Sequence, residues 1–116
     1  MHALGFHYLI ELYECDHNLL KNSNFLENLL RESVKESGAT EIGHVFHEFS
    51  PHGVSGVVLI SESHFSIHTW PEHNYAAVDL FTCNPDLKIQ HVYQKLKKEL
   101  ESPKSSILEI KRGIEI

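Results

Sequence analysis

The sequence predicts an α+β domain, a two-layer sandwich in which a mainly antiparallel sheet carries two helices on one face. Three observations lead there. Six segments, 6–14, 40–49, 57–60, 64–70, 75–82 and 106–111, are rich in the branched and aromatic residues that suit strands. Only two other segments place apolar residues at helical spacing. The central strand segments are joined by turns too short for a crossover helix, so neighbours there must run antiparallel. At 116 residues the chain makes one domain, 1–116, large enough to bury roughly two thirds of the surface its unfolded form exposes.

Residues 6–14 (FHYLIELYE) contain neither Gly nor Pro and read as the first strand, followed by a polar connection over 16–24. Asn24 followed by Glu27 resembles a capping box, in which each side chain satisfies a free backbone donor of the helix start. Leu26, Leu29, Leu30 and Val34 then recur on one helical face, and Gly38 suits the stop. The second strand, 40–49, ends at the Ser50-Pro51-His52-Gly53 turn. The apolar run 57–60 reads as a strand buried on both faces, broken by Ser61-Glu62-Ser63-His64. Residues 64–70 alternate, with Phe65, Ile67 and Thr69 on one side and His64, Ser66, His68 and Trp70 on the other, until Pro71 ends the strand. Residues 75–82 alternate again and stop at Cys83-Asn84-Pro85. Asn84 can cap the second helix, with Pro85 at its first position and Asp86 at the positive end of its dipole. Its apolar stripe is Ile89, Val92, Tyr93, Leu96 and Leu100, ended by Ser102-Pro103, and 106–111 forms a short last strand.

Composition narrows the classes of function. A net charge of −6, with Lys95, Lys97 and Lys98 the only basic cluster, is the wrong sign for a nucleic-acid surface. No segment approaches the ~20 apolar residues of a membrane span, and the N-terminus lacks a signal pattern, so a cytoplasmic location is expected. The two cysteines, Cys15 and Cys83, read as free thiols. Ten histidines raise the question of a metal. His44 and His47, or His64 and His68, could be read as metal-ligand pairs, but His64 and His68 would lie roughly 13 Å apart along one strand, too far to share an ion, and no metal is expected.

The chemistry concentrates in residues 53–83, where three strands are expected to bring a serine-rich corner, a histidine and a cysteine within reach of one another. GVSGVV, ISESHFSIHTWPE and YAAVDLFTC, in that order, with ECD and SGAT upstream, resemble the prokaryotic pyruvoyl-dependent S-adenosylmethionine decarboxylase proenzymes. The resemblance covers nearly the whole chain and thins after Leu100. It implies that the chain cuts itself between Glu62 and Ser63 into a beta chain, 1–62, and an alpha chain, 63–116, and that Ser63 becomes a covalent pyruvoyl group. It further implies that protomers pair, with active sites built from both subunits.

Roles follow from the same resemblance, each beside a plainer alternative. Ser63 attacks the Glu62 carbonyl, as a hydroxyl can because its oxygen is first nucleophile and then leaving group; otherwise it is a turn serine. His68 corresponds to the processing base and Ser55 to the serine that hydrogen-bonds the processing intermediate; otherwise they anchor a strand and a turn. Cys83 matches the residue that returns a proton to the substrate's α-carbon, which a protonated thiol can do; otherwise it is a small hydrophobe. Phe49 corresponds to the aromatic that stacks on adenine and faces the sulfonium, Glu72 to the acid that takes both ribose hydroxyls, and Glu62 adds backbone groups near the adenine. The plainer readings are a core phenylalanine and a solvated loop glutamate, and Trp70 reads as packing. The chain departs from the pattern at His73-Asn74, where the family commonly has an aromatic and a glycine, and at Asn84, where it commonly has glycine.

The expected activity is therefore decarboxylation of S-adenosylmethionine to the aminopropyl donor of spermidine and polyamine synthesis. One rival keeps the machinery and takes arginine or ornithine, with Glu72 holding the cationic group. A rival of another class is a non-catalytic, histidine-rich module that binds a metal or a partner; it leaves the ordered match of Ser55, Ser63, His68 and Cys83 without explanation.

Overall fold

The structure is a computed structural model, and it describes residues 3–114. Six strands form one sheet in the order β2-β3-β4-β5-β1-β6, from β1 (Gly5–Tyr13), β2 (Glu41–Glu48), β3 (Val54–Ile60), β4 (Ser63–Trp70), β5 (Tyr75–Thr82) and β6 (Lys104–Arg112). Every neighbouring pair is antiparallel. Two long helices, α2 (Ser23–Ser37) and α3 (Ile89–Glu99), give the two-layer sandwich that the hydrophobic pattern predicts. One core results, in which Leu26, Leu30 and Val34 of α2 and Val92 and Leu96 of α3 pack with Ile10, Leu12, Val58, Phe65, Ile67 and Leu80 of the sheet.

Beside a third and a last strand that run longer than expected, local structure differs from the sequence reading at four points, each with a physical reason. Residues 17–20 form a one-turn helix, α1 (His17–Leu20), which Asp16 caps by accepting from the amides of Asn18 and Leu19. Burial of Leu20 holds that turn to the domain. The α2 cap is Asn22, whose Oδ1 accepts from Phe25 at 3.0 Å, so the helix starts earlier than the Asn24-Glu27 spacing suggests. Asn84 does not cap α3; its Oδ1 bonds the Asp86 amide in a local turn, and the helix begins at Ile89. Tertiary contacts set that delay, since Leu87 and Ile89 are buried and the Lys88 amide donates to the Ser37 carbonyl at the end of α2. Finally, β3 is buried on one face only: Val58 and Ile60 face the helices, whereas Val57 and Leu59 lie 38% and 50% exposed.

The open face of the sheet is apolar beyond β3. Val45, Leu9, Leu108, Ile110 and Trp70 are exposed there with Val57 and Leu59. Polar groups lie among them: His7 Nε2 is 2.8 Å from Asp79 Oδ2, His64 Nε2 is 3.6 Å from the same oxygen, and Ser66 donates to Asp79. No helix among the described residues is long and apolar enough to cross a membrane.

Candidate active site

The β3–β4 hairpin reverses over two residues, Ser61 and Glu62, with Ile60 paired to Ser63. Such turns normally take positive φ at a central residue to match the twist of the strands. Here neither turn residue does so, and the reversal is completed at Ser63, whose φ is 142°. That region belongs essentially to glycine and costs a side-chain-bearing residue about 1–3 kcal/mol. The strain thus sits at the junction of Glu62 and Ser63.

The neighbouring strand supplies the rest of this cluster. Ser63 pairs with Thr82 of β5, which brings Cys83 beside the hairpin. The Cys83 amide donates to the Glu62 carbonyl at 3.0 Å, and the Cys83 thiol is exposed. The Glu62 carboxylate is held in turn, its Oε1 accepting from Ser61 Oγ at 2.9 Å and from the Thr40 amide at 3.4 Å.

The remaining candidates gather at the opposite end of the same strands. Ser55 and His68 are direct cross-strand partners, and Ser55 Oγ lies 2.7 Å from His68 Nδ1. Phe49, Ser55, His68 and Glu72 line one cavity of about 320 Å³, together with His52, Gly53, Thr69 and Trp70. Phe49 is half exposed, with His47 edge-on to its ring at 4.5 Å. Gly53, at φ 110°, lets the β2–β3 connection pass the Thr69 carbonyl, where an added Cβ would lie 3.2 Å away. Glu72 rides on a single 3₁₀ turn, Pro71–His73, which Asn74 closes in the left-handed conformation at φ 53°. Asparagine is the best substitute for glycine there, which accounts for one departure from the expected pattern. A larger cavity of about 480 Å³ between α2 and β2 is lined by Arg31, Glu32, Lys35 and Glu41 among others and contains none of the predicted residues.

One chain therefore does not bring all the candidates together. Ser63 and His68 are five residues apart on β4, roughly 16–17 Å along the strand. The expectation of a corner, a histidine and a cysteine in mutual reach holds for Ser63 and Cys83 and fails for His68. A short spacing in sequence becomes a long one in an extended strand. His52 and Thr69 are cavity residues that the sequence reading did not assign to the site, and Trp70, read as packing, also lines the cavity, as its place on the His68 side of β4 allows.

Fold and site define an α+β enzyme whose polar chemistry is divided between two ends of one sheet. The chain belongs to the S-adenosylmethionine decarboxylase family, whose family model matches residues 6–113. Its relatives include the S-adenosylmethionine decarboxylase proenzyme of Thermotoga maritima, 48% identical over 113 residues that cover 97% of this chain and 87% of the relative. That of Thermodesulfovibrio yellowstonii is also 48% identical, over 98% of this chain and 84% of its own. Among solved structures, the adenosylmethionine decarboxylase of Aquifex aeolicus superimposes with a TM-score of 0.89 at 36% identity, covering 98% of this chain and 94% of the other. The Trypanosoma brucei AdoMetDC-delta26 monomer shares the fold, with a TM-score of 0.61 at 19% identity over 90% of this chain and 45% of that longer one.

Proposed function

We propose that this chain decarboxylates S-adenosylmethionine, supplying the aminopropyl donor for polyamine synthesis, with a pyruvoyl group that it makes from its own Ser63. The decarboxylation follows from membership of the family over nearly the whole chain, and the relatives' name as proenzymes supports a self-processing step. The observation that carries the processing reading is the coincidence of strain at Ser63 with a hydrogen bond to the adjoining carbonyl.

Attack by Ser63 Oγ on the Glu62 carbonyl carbon moves negative charge onto the carbonyl oxygen. The Cys83 amide already points at that oxygen, a fixed donor where charge develops. Collapse of the adduct breaks the peptide C–N bond and leaves an ester through Ser63 Oγ, with the φ strain free to relax. A base then removes the Ser63 α-proton, the ester C–O bond breaks, Glu62 becomes a carboxylate terminus, and hydrolysis of the new alpha-chain terminus releases ammonia. His68 suits the base: Ser55 occupies Nδ1, which orients the ring and leaves Nε2 free for the proton.

The pyruvoyl group, once formed, supplies a ketone for the substrate amine and an adjacent carbonyl that draws electrons as carbon dioxide leaves. The chain's own residues bind and manage protons. Phe49 offers an exposed ring to the adenine and the sulfonium, Glu72 accepts from the ribose hydroxyls, Glu62 adds backbone groups, and Cys83 holds a proton at Sγ for the substrate's α-carbon. Because Ser63 and His68 of one chain stand so far apart, the working unit is a homodimer in which one protomer gives Glu62, Ser63 and Cys83 and its partner gives Phe49, Ser55, His68 and Glu72. The apolar open face of the sheet supports that pairing.

The denatured mass spectrum of the purified protein tests the reading. Two fragments are expected, 1–62 and 63–116, the second blocked by a pyruvoyl group, with Ser63→Ala remaining one intact chain. A wild-type chain that stays intact after long incubation overturns the processing reading.

A further inference from the structure

The turn that carries Glu72 is gripped by a segment far upstream, and we propose that His17 is the positioning residue that fixes Glu72 for the substrate. The proposal rests on the reading of Glu72 as the acid that takes the ribose hydroxyls. Glu72 needs outside support because its turn is one residue either side of it, closed from within only by the Asn74 amide on the Pro71 carbonyl at 3.1 Å. Nothing in a lone turn of that kind holds a carboxylate at a fixed place.

Support comes from residues 15–20. The Cys15 amide donates to the Asn74 carbonyl at 2.9 Å, and Asn74 Nδ2 returns a bond to the Cys15 carbonyl at 3.0 Å. On the other side of the turn, Thr69 Oγ1 donates to the Leu20 carbonyl at 2.8 Å, beneath a fully buried Leu20 side chain. Between these two anchors, His17 Nδ1 lies 2.9 Å from the Pro71 carbonyl, the peptide group that joins directly to Glu72. His17 contributes the one side chain of this segment that bonds the turn; the other links use main-chain atoms of 15–20 or side chains of β4 and the turn itself.

Chemistry fixes the direction of that bond. A carbonyl only accepts, so Nδ1 carries the hydrogen, and the bond persists whether or not Nε2 takes a second proton. His17 does not line the substrate cavity, although His52, which does, lies edge-on to it with ring centroids 6.5 Å apart. It therefore acts through Glu72. Nor does the fold depend on its side chain, since Asp16 caps α1 and Leu20 anchors it.

The test compares His17→Phe, a ring without the donor, with His17→Asn, whose Nδ2 stands where Nδ1 stood. Each is made alone and together with Glu72→Gln, and KM and kcat are measured on processed enzyme with S-adenosylmethionine. H17F is expected to raise KM roughly 5- to 10-fold with kcat within about twofold, and H17N to restore KM to within about twofold. In the E72Q background H17F should add less than about twofold, because the residue through which it acts is already disabled. Cleavage after Glu62 is the folding control, and H17A takes the place of H17F if that variant is not processed. A wild-type KM for H17F beside a raised KM for E72Q overturns the positioning role and leaves Glu72 in place. So does an H17F effect that persists undiminished with E72Q, or a failure of H17N to rescue. An unchanged KM for E72Q overturns the reading of Glu72 and the proposal with it.

Discussion

Cys15 and Cys83 lie in environments that give a thiol opposite uses. Cys15 is 2% exposed, its Sγ within 3.5 Å of the Leu12 carbonyl, and burial pushes its pKa from 9.0 up to about 11. Cys83 is exposed at the end of β5, next to the strained hairpin. The raised value at Cys15 means that the folded state keeps the proton while the unfolded chain loses it near pH 9. Its contribution to stability is therefore complete below about pH 9 and lost progressively up to about pH 11, amounting to about 2–3 kcal/mol at roughly 1.4 kcal/mol per pKa unit. Urea midpoints measured from pH 8 to 11 should fall for the wild type and fall less for Cys15→Ala, after allowance for Tyr8, whose burial beside Glu109 raises it to about 12. Equal slopes for the two proteins would refute the assignment. At this scale the sequence was informative about residue type: Ser63, Cys83 and Glu62 were identified together and do lie together. It was silent on the positive φ of Ser63, because that angle follows from how a two-residue turn meets the twist of its strands.

Strands were legible where side chains alternate and less so where they do not. β4 shows its buried Phe65, Ile67 and Thr69 directly in its pattern. β3 misled, since VVLI is apolar at every position and yet exposes every second one in the isolated protomer. The same strand has a glycine, Gly56, that an aromatic ring closely overlies. Phe46 of β2 lies across Gly56, and a Cβ there would come within 2.1 Å of its ring. The partly buried Phe46 packs against the core and cannot lift away freely, so Gly56→Ala should cost about 1–3 kcal/mol in chemical denaturation. Because Gly56 adjoins Ser55, the same variant should loosen the Ser55–His68 pair and slow cleavage after Glu62. A variant with full stability and a normal cleavage rate would remove the argument. Helix starts were the least legible elements, since Asn22, Asn24 and Asn84 are equivalent as sequence and only burial of Leu26, Leu87 and Ile89 decides which of them caps.

At the scale of the molecule, the proposed homodimer rests on two clusters at opposite ends of β4 and on the apolar open face: a second copy laid across that face would bring the His68 end of one sheet to the Ser63 end of the other. That assembly was absent from composition and periodicity, because a periodic pattern reports which side of a strand is apolar and not whether helices or a partner cover it. Mixing two defective chains exposes the arrangement. On the proposed roles Ser63→Ala removes the nucleophile and His68→Ala the base, so each alone should stay uncleaved. In a mixed dimer the H68A chain keeps Ser63 and faces the intact His68 of an S63A partner, which completes one site and leaves the other doubly dead. Random pairing on co-expression puts about half of the H68A chains into such dimers, and about that fraction should appear as fragments 1–62 and 63–116. Only the H68A chain should be cut, which an affinity tag on one of the two chains resolves by mass. Sites completed within a single chain predict no cleavage in any mixture, and that outcome would return His68 and Ser63 to separate roles on one sheet.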